Sequence, residues 1–226
     1  MRSMSELDIS YARSIVPPGF KMGKGKKKMM KGRATMNLFQ YKRGFPVILR
    51  SVSHFLLPEE CRAFVIYGES KGFEQTRQVA TQEYAHRNQG RLSMDLEGLA
   101  EAIFQRSFPF LPAEIDNERP VGCSSNIRLY RYEAGDSFGR HVDQSDGASK
   151  LTALIYLNMD EIELQGGETI FYDAMDESQV FASFSPATMG GCLVLHGHGA
   201  RCLTHEAALV TKGTKYVLRT DVLYSK

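Results

Sequence analysis

The chain has 226 residues, of which 42% are hydrophobic and 24% charged, a composition that excludes a wholly disordered protein. No apolar run approaches the roughly 18 uncharged residues that a membrane-spanning helix requires, so we expect no membrane span. The net charge of +2 is unevenly distributed, because seven basic and no acidic residues lie between Lys21 and Arg33. The rest of the chain has 21 basic and 26 acidic residues, which gives it a net charge of −5.

The basic segment predicts a disordered N-terminal arm, residues 1–36, because neighbouring lysines repel one another and no apolar periodicity is present. Two interpretations stay open: a solvated tail, or a targeting signal or electrostatic handle for nucleic acid or another polyanion. Glu6 and Asp8 interrupt the apolar stretch that a secretory signal would need. The four cysteines form no Cys-x-x-Cys pair. We therefore expect an intracellular protein, cytoplasmic or nuclear, with reduced cysteines.

The segment after the arm predicts a strand and two helices. The run Phe45–Arg50 is typical of a strand. Pro58 opens a helix with acidic residues in its first turn, and Gly72 ends it. The polar stretch Glu74–Gly90 is long for a plain connection and predicts a mobile loop over a site. A second helix is expected over Met94–Phe108, since its apolar residues fall on one stripe.

The rest of the chain is predicted to be mainly strand. Four apolar or alternating segments, separated by turns that contain glycine, predict long strands at Ile127–Tyr132, Leu151–Leu157, Gly191–His196 and Lys215–Val222. Two helices followed by many strands indicate an α+β fold, mainly β, whose sheets close into a sandwich or jelly roll. Residues 37–226 would form this fold as one domain.

The first candidate site is His141 with Asp143, two residues further on. On an extended segment these two side chains face the same way, so an imidazole and a carboxylate could hold one metal ion. The pair alone is a weak signal, but His205 lies 64 residues downstream of His141, just before the last long strand. Two histidines and one carboxylate from different strands form the facial triad that suits non-haem Fe(II) and leaves coordination positions open.

A second group of histidines offers an alternative metal site. His196 and His198 alternate along the chain, so with His205 they could form a three-histidine zinc site. Gly197 and Gly199, however, favour a turn at this point rather than two fixed inward ligands. We therefore favour the triad of two histidines and one aspartate.

Two cations lie on one face of the last strand. Lys215 and Arg219 are four residues apart, so their side chains point the same way, with Val217 between them. A buried cation on an otherwise apolar sheet face needs an anionic partner. A dicarboxylate co-substrate would supply one, and both cations are candidates to bind it.

The order of these motifs resembles the Fe(II)/2-oxoglutarate-dependent dioxygenases, in particular their prolyl 4-hydroxylase-like branch. The segments that carry the resemblance are Leu57–Cys61, Arg87–Arg91, Arg131–Phe138, His141-Val142-Asp143, Leu151–Asn158, Gly166–Thr169, Pro186 with Gly190, His205 and Gly213–Tyr216. They cover about residues 45–224 in order and with plausible spacing. A single His-x-Asp is weak, whereas this ordered series is a strong signal.

The resemblance implies a double-stranded β-helix with a metal near one mouth of the barrel. By position, His141, Asp143 and His205 would be the iron ligands. The implied activity is an Fe(II)- and 2-oxoglutarate-dependent hydroxylase that releases succinate and CO2, with ascorbate as a candidate reductant. The iron would perform the oxidation, while the protein would supply ligand geometry and orientation.

The resemblance also implies residues for the co-substrate. Lys215 would pair with the far carboxylate of 2-oxoglutarate, and Tyr156 would hydrogen-bond it. Tyr132 is a candidate for the near side of the co-substrate. Arg219 is a second cation that could compete with Lys215, which we favour because a lysine followed by an aromatic residue is the pair typical of the family.

The substrate that the resemblance favours is a prolyl residue in a protein or peptide. One alternative is a 2-oxoglutarate oxygenase or demethylase with another target, a lysyl side chain or a nucleic acid, to which the basic arm would be attracted. A second alternative is a non-catalytic module that keeps the barrel and binds metal. A complete triad together with Lys215 argues against this last interpretation.

Overall fold

The computed structural model describes Pro17 and residues 34–39, 46–81, 85–159 and 163–226. The arm predicted for residues 1–36 lies almost entirely outside the described residues, so its structure and its partners stay predictions. Within the described residues there are two helices, α1 (Pro58–Lys71) and α2 (Glu97–Ser107). Neither of them is long and apolar enough to cross a membrane.

The strands of the described residues are numbered β1 to β15 in chain order. They are β1 (Met36–Leu38), β2 (Leu49–Val52), β3 (Glu74–Gln78), β4 (Arg87–Asp95), β5 (Arg119–Cys123), β6 (Asn126–Tyr132), β7 (Ser137–His141), β8 (Ser149–Tyr156), β9 (Gln165–Gly166), β10 (Thr169–Tyr172), β11 (Val180–Phe184), β12 (Leu193–Gly197), β13 (His205–Ala207), β14 (Val210–Lys212) and β15 (Lys215–Ser225). The four long strands predicted from sequence are β6, β8, β12 and β15, each within three residues of its predicted ends.

Helix α1 begins and ends where the sequence predicts. Pro58 is its first residue, where no intrahelical partner for a backbone N–H is needed. The Glu60 carboxylate turns back and accepts a hydrogen bond from the Leu57 backbone N–H at 2.9 Å. Gly72 ends the helix with a φ of 81°, a conformation that favours glycine.

Three sequence predictions need correction in this part of the chain. The stretch Glu74–Gly90 is not a plain loop, because β3 pairs with β4 in an antiparallel hairpin, although residues 82–84 lie outside the described ones. Main-chain pairing does not depend on apolar side chains. A prediction based on hydrophobic periodicity therefore does not detect a polar strand at the edge of a sheet. Helix α2 begins three residues later than predicted, since Met94 and Asp95 still pair with β6. The first predicted strand is correct only at its end, where β2 begins at Leu49.

Thirteen of the fifteen described strands form a curled antiparallel sheet, which confirms the predicted jelly roll of the double-stranded β-helix type, and β9 pairs with β14 separately. The order along the sheet is β1-β2-β12-β8-β15-β6-β4-β7-β13-β10-β11. Non-consecutive strands are therefore neighbours: β15 lies between β6 and β8, and β13 lies between β7 and β10. This topology brings residues from distant parts of the sequence into one interior.

The two faces of the sheet pack differently. Its outer face contacts the helices in one apolar cluster, which joins Phe64 of α1 and Ile103 of α2 to Leu218 of β15. Its inner face contains a second cluster, with Phe171 and Val217. Because side chains alternate along a strand, β15 contributes to both, and its residues 215, 217 and 219 face the interior. The helices thus support the sheet from outside and leave the interior for a site.

A buried ion pair joins the two helices. The Glu60 and Arg106 side chains are 0% and 5% exposed, and their charged atoms lie 2.7 Å apart. We expect Arg106→Met to lower the free energy of unfolding by about 3–5 kcal/mol, because it leaves the Glu60 carboxylate buried without this partner. Urea unfolding followed by circular dichroism measures the change, with the exposed Arg62→Met on α1 as the control. A loss below about 1 kcal/mol, as at a surface pair, would contradict the expectation.

Candidate active site

The structure brings His141, Asp143 and His205 together. One possible ligand atom from each lies within 4.8 Å of those of the other two. His141 is the last residue of β7 and His205 the first of β13, and the two are opposite each other in the antiparallel register. Asp143 follows two residues after His141, just beyond the strand. The pairing of β7 with β13 therefore places side by side two histidines that are 64 residues apart in the sequence.

Both imidazoles point one nitrogen at a backbone carbonyl. His141 Nδ1 lies 2.8 Å from the Gly139 oxygen, and His205 Nδ1 lies 3.0 Å from the Leu203 oxygen. These contacts assign the proton of each neutral ring to Nδ1, which leaves the Nε2 lone pair free to bind a metal. Burial, reinforced by the neighbouring His205, lowers the pKa of His141 to about 3. The His141 ring is therefore neutral near pH 7, as a metal ligand must be.

The Asp143 carboxylate is held by one of its two oxygens. Oδ2 accepts hydrogen bonds from Thr152 Oγ1 at 2.7 Å and from Arg219 Nη2 at 2.9 Å. Oδ1 lies 3.7 Å from His141 Nε2. Burial alone would favour the neutral acid, but the Arg219 guanidinium and the nearby imidazoles hold the pKa of Asp143 well below its usual range. The site thus offers an ionised carboxylate with one oxygen fixed and the other directed at the imidazole.

Arg219 therefore lies at the Asp143 end of the interior. Its guanidinium also lies 3.3 Å from Asp221 Oδ1, so two carboxylates neutralise it. If Asp143 binds the metal, we expect Arg219→Met to weaken Fe(II) or Mn(II) binding about 10–100-fold, because partners that orient a ligand have effects of this size. Calorimetric metal titration measures the affinity. Arg219→Lys should restore part of it, and Arg140→Met, at an exposed arginine, should leave it unchanged; equal affinity in Arg219→Met would contradict the role.

Lys215 lies at the other end of the interior, and it is 2% exposed. Its ammonium donates to the Gly167 carbonyl at 2.7 Å and lies 3.4 Å from Thr169 Oγ1. Among the described residues, no carboxylate oxygen lies within 4.0 Å of it. Burial, opposed by a smaller effect of the Glu168 charge, lowers the pKa of Lys215 to about 7. Lys215 is thus a buried amine whose partners among the described residues are neutral, as expected of a site that receives an anion.

Two tyrosines surround the Lys215 ammonium. It lies 5.0 Å from the centre of the Tyr132 ring and 5.9 Å from the centre of the Tyr156 ring. The Tyr156 hydroxyl donates to Thr169 Oγ1 at 2.6 Å. Burial raises the pKa of both phenols well above the ordinary value, so both stay protonated and able to donate. Lys215 and Tyr156 therefore meet at the Thr169 hydroxyl.

One cavity joins the two ends. It has a volume of about 460 Å³, part of it open to solvent, and its lining includes Lys215, Thr169 and Tyr132 as well as His141, Asp143 and His205. Apolar Leu154 and Val217 line it between these two sets. A cavity with an apolar wall and a few convergent polar groups is typical of a small-molecule site.

Sequence reasoning missed several residues of this interior. Thr152 and Thr169 have no recognisable signal, because single hydroxyl residues are common in strands. His196 was predicted at the end of a strand but disfavoured as a ligand because of the glycines that follow it; it lies on β12, is 1% exposed and lines the cavity. Its alternation with the buried Val194 was the signal that could have found it. The His198 Nε2 atom, in contrast, lies 2.7 Å from Thr152 Oγ1, the same hydroxyl that donates to Asp143.

Comparisons with known proteins agree with this architecture. Residues 127–220 match the family model of the 2OG-Fe(II) oxygenase superfamily. No curated protein matches the chain. Among solved structures, the viral collagen prolyl hydroxylase of Paramecium bursaria Chlorella virus-1, in its 2-oxoglutarate complex, is 19% identical with a TM-score of 0.55; the alignment covers 79% of this chain and 96% of that one.

Two other prolyl hydroxylase structures are similar. The Pseudomonas putida prolyl-4-hydroxylase is 21% identical with a TM-score of 0.53, over 77% of this chain and 92% of that one. The Trichoplax adhaerens prolyl hydroxylase, in complex with a hypoxia-inducible factor peptide fragment, is 18% identical with a TM-score of 0.56, over 77% and 83%. At these identities the likeness concerns the fold, whereas the family match includes the segments with the triad and the buried lysine. Residues 127–220 of the chain thus match the 2OG-Fe(II) oxygenase superfamily in sequence, and the jelly roll that carries them is like that of the prolyl hydroxylases.

Proposed function

We propose that the protein is an Fe(II)- and 2-oxoglutarate-dependent hydroxylase whose iron ligands are His141, Asp143 and His205. The observation that carries the proposal is the convergence of two neutral imidazoles and one ionised carboxylate at one end of a cavity. This donor set fits Fe(II), and the family implies both iron and 2-oxoglutarate. The metal and its co-substrate would supply the oxidising power, with succinate and CO2 as co-products.

The chain's own residues would hold and orient these groups. Lys215 would bind the far carboxylate of 2-oxoglutarate, since it is a buried cation with neutral partners, and Tyr156 with Thr169 would contribute hydroxyls beside it. Tyr132 would line the near side of the co-substrate. Arg219 is the less favoured partner of the far carboxylate, because Asp143 and Asp221 already neutralise it.

The domain that performs this function would span residues 37–226. Helices α1 and α2 share one apolar cluster with strands of the sheet, which supports a single unit rather than two. Burying large apolar side chains such as Phe64 and Ile103 against the sheet stabilises it by about 1.5–3 kcal/mol each. Removing the helices would expose the outer face of the strands that carry the proposed site.

The substrate that we favour is a prolyl residue in a protein or peptide. The similar folds are those of prolyl hydroxylases, and one of them is in complex with a peptide fragment. Nothing in the described residues supports nucleic-acid binding by the basic arm, which lies outside them. A lysyl side chain or a nucleobase as the target would leave the iron site proposal intact.

A peptide library that contains proline tests the proposal. The protein is incubated with Fe(II) and 2-oxoglutarate, and mass spectrometry detects a gain of one oxygen together with succinate. Omitting ascorbate shows whether a reductant is needed, and Asp143→Ala is the inactive control. Oxygen gain confined to lysine or to added nucleic acid would overturn the prolyl assignment. Absence of succinate with every substrate, together with no binding of 2-oxoglutarate, would favour a non-catalytic metal-binding module.

A further inference from the structure

We infer that the chain contains a second metal site, formed by His196, Cys202 and His205, for a thiophilic divalent ion such as Zn²⁺. One possible ligand atom from each of the three residues lies within 4.8 Å of those of the other two. The site shares His205 with the proposed iron site, so occupation of one excludes the other. The binding of the ion stands on this geometry alone, whereas the exclusion of iron rests on the proposed function.

The distances fit a tetrahedral ion. Cys202 Sγ lies 3.7 Å from His196 Nδ1 and 3.7 Å from His205 Nδ1. Around tetrahedral zinc, with Zn–S of about 2.3 Å and Zn–N of about 2.0–2.1 Å, sulfur and nitrogen ligands are about 3.6 Å apart. The Leu203 carbonyl oxygen lies 3.4 Å from Cys202 Sγ and 3.0 Å from His205 Nδ1. A carbonyl oxygen that could act as a further metal ligand therefore borders the same space.

One short loop positions all three ligands. His196 is on β12, Cys202 follows the single helical turn Gly199–Arg201, and His205 begins β13. The loop folds tightly on itself: a Cβ on Gly197 would lie 2.5 Å from the Arg201 carbonyl oxygen, which only glycine permits. Because the strands fix both ends of the loop, the two imidazoles and the thiol are close together before any ion binds.

The unexplained burial of His196 supports this site. Its Nε2 is buried and has no hydrogen-bond partner among the residues that the structure describes. With an ion on Nδ1, the proton of the ring is on Nε2, which faces Asp143 Oδ2 at 3.7 Å. A carboxylate behind a ligating histidine is the usual arrangement around zinc. The proposed site thus gives His196 Nε2 a role, and Nδ1 would exchange its 3.3 Å contact with the Gly197 carbonyl oxygen for the ion.

The two metal sites require different tautomers of His205. When Nδ1 donates to the Leu203 carbonyl, Nε2 carries the free lone pair and can serve the proposed iron site. When Nδ1 binds an ion next to the Cys202 sulfur, the proton is on Nε2, and that nitrogen cannot bind iron. The thiol proton of Cys202 is released to solvent as the sulfur–metal bond forms. Thiolate and imidazole ligands suit Zn²⁺, so zinc should inhibit the enzyme through this loop.

Cobalt binding tests the site without relying on turnover. In a His141→Ala variant, which lacks a proposed iron ligand but keeps the second site, anaerobic Co²⁺ should produce a near-ultraviolet thiolate-to-cobalt charge-transfer band at one equivalent. The band should disappear in His141→Ala/Cys202→Ser and persist in His141→Ala/Cys123→Ser, which removes another half-buried thiol. Absence of the band from His141→Ala, or its persistence without Cys202, would overturn the site.

Zinc inhibition tests the exclusion of iron. Cys202→Ser should keep the 2-oxoglutarate turnover measured without zinc. It should raise the zinc concentration for half-inhibition at least about tenfold, since losing even an outer partner of a metal ligand costs that much affinity. An unchanged inhibition curve would overturn the exclusion. If the natural protein shows no turnover with Fe(II) and 2-oxoglutarate, the proposed function fails, while the cobalt result still decides the second site.

Discussion

Asp143→Ala is expected to abolish 2-oxoglutarate turnover, with a loss of at least about a thousandfold in succinate formation. The substitution removes the anionic ligand of the proposed iron site and leaves two neutral imidazoles. It also leaves the Arg219 guanidinium, now paired with Asp221 alone, as a positive charge beside the metal position. Two unit charges about 4 Å apart interact by several kcal/mol near a protein surface, so a cation there opposes binding of Fe(II). Loss of metal and loss of turnover should therefore occur together.

Two controls separate this role from a structural one. Asp146→Ala removes the same charge three residues further on, at an exposed aspartate, and should keep turnover. Asp143→Asn keeps the shape of the side chain and should be folded by circular dichroism yet nearly inactive, because an amide is a poor ligand for Fe(II). Turnover of Asp143→Ala or His141→Ala within twofold of the natural protein would contradict the ligand assignment.

The fold was largely predictable because its main elements have strong local patterns. Strand β15 is rich in β-branched and aromatic residues, and a turn that contains Gly213 precedes it. Helix α1 has Pro58 and two acidic residues at its start and Gly72 at its end. Strand β3 has no such pattern, since its backbone pairs at the sheet edge while its side chains stay in water. Local hydrophobicity therefore predicts buried elements and misses polar edges.

The residue types of the site were predictable from the sequence, whereas the contacts among their side chains were less so. His141, Asp143 and His205 have a recognisable order, but the fixed oxygen of Asp143 depends on Thr152, which only the neighbouring strand brings near. For Arg219 the sequence predicts on which face of the strand the side chain lies, but it does not predict which residue forms an ion pair with it. Its interaction with Asp143 depends on how the chain bends after β7, which strand periodicity does not specify. Side-chain partners across strands thus need the three-dimensional structure.

Lys215→Met is expected to raise the Kd for 2-oxoglutarate at least about a hundredfold. The methionine keeps an unbranched apolar side chain, one atom shorter than lysine, but leaves the far carboxylate buried without a cation, a loss that costs about 3–5 kcal/mol. Calorimetry under anaerobic conditions with saturating Mn²⁺ measures the Kd. Lys212→Met, which removes a lysine that is 52% exposed, is the matched control and should bind normally. If 2-oxoglutarate binding persists in Lys215→Met and is lost in Arg219→Met, Arg219 and not Lys215 binds the far carboxylate.

The pH dependence of this binding gives the same assignment an independent test. The pKa of Lys215 is about 7 before the anion binds, because burial disfavours the ammonium. A bound carboxylate favours the ammonium and raises that pKa, so binding takes up a proton at pH values above 7 and none well below it. The affinity for 2-oxoglutarate should not change with pH below about pH 6. Above pH 7 it should fall by up to about tenfold per pH unit, because the free enzyme must first gain the proton. Calorimetry in two buffers of different ionisation enthalpy measures the uptake at pH 8. Proton uptake should vanish in Lys215→Met; if it persists there, another group takes up the proton and Lys215 is not the carboxylate partner.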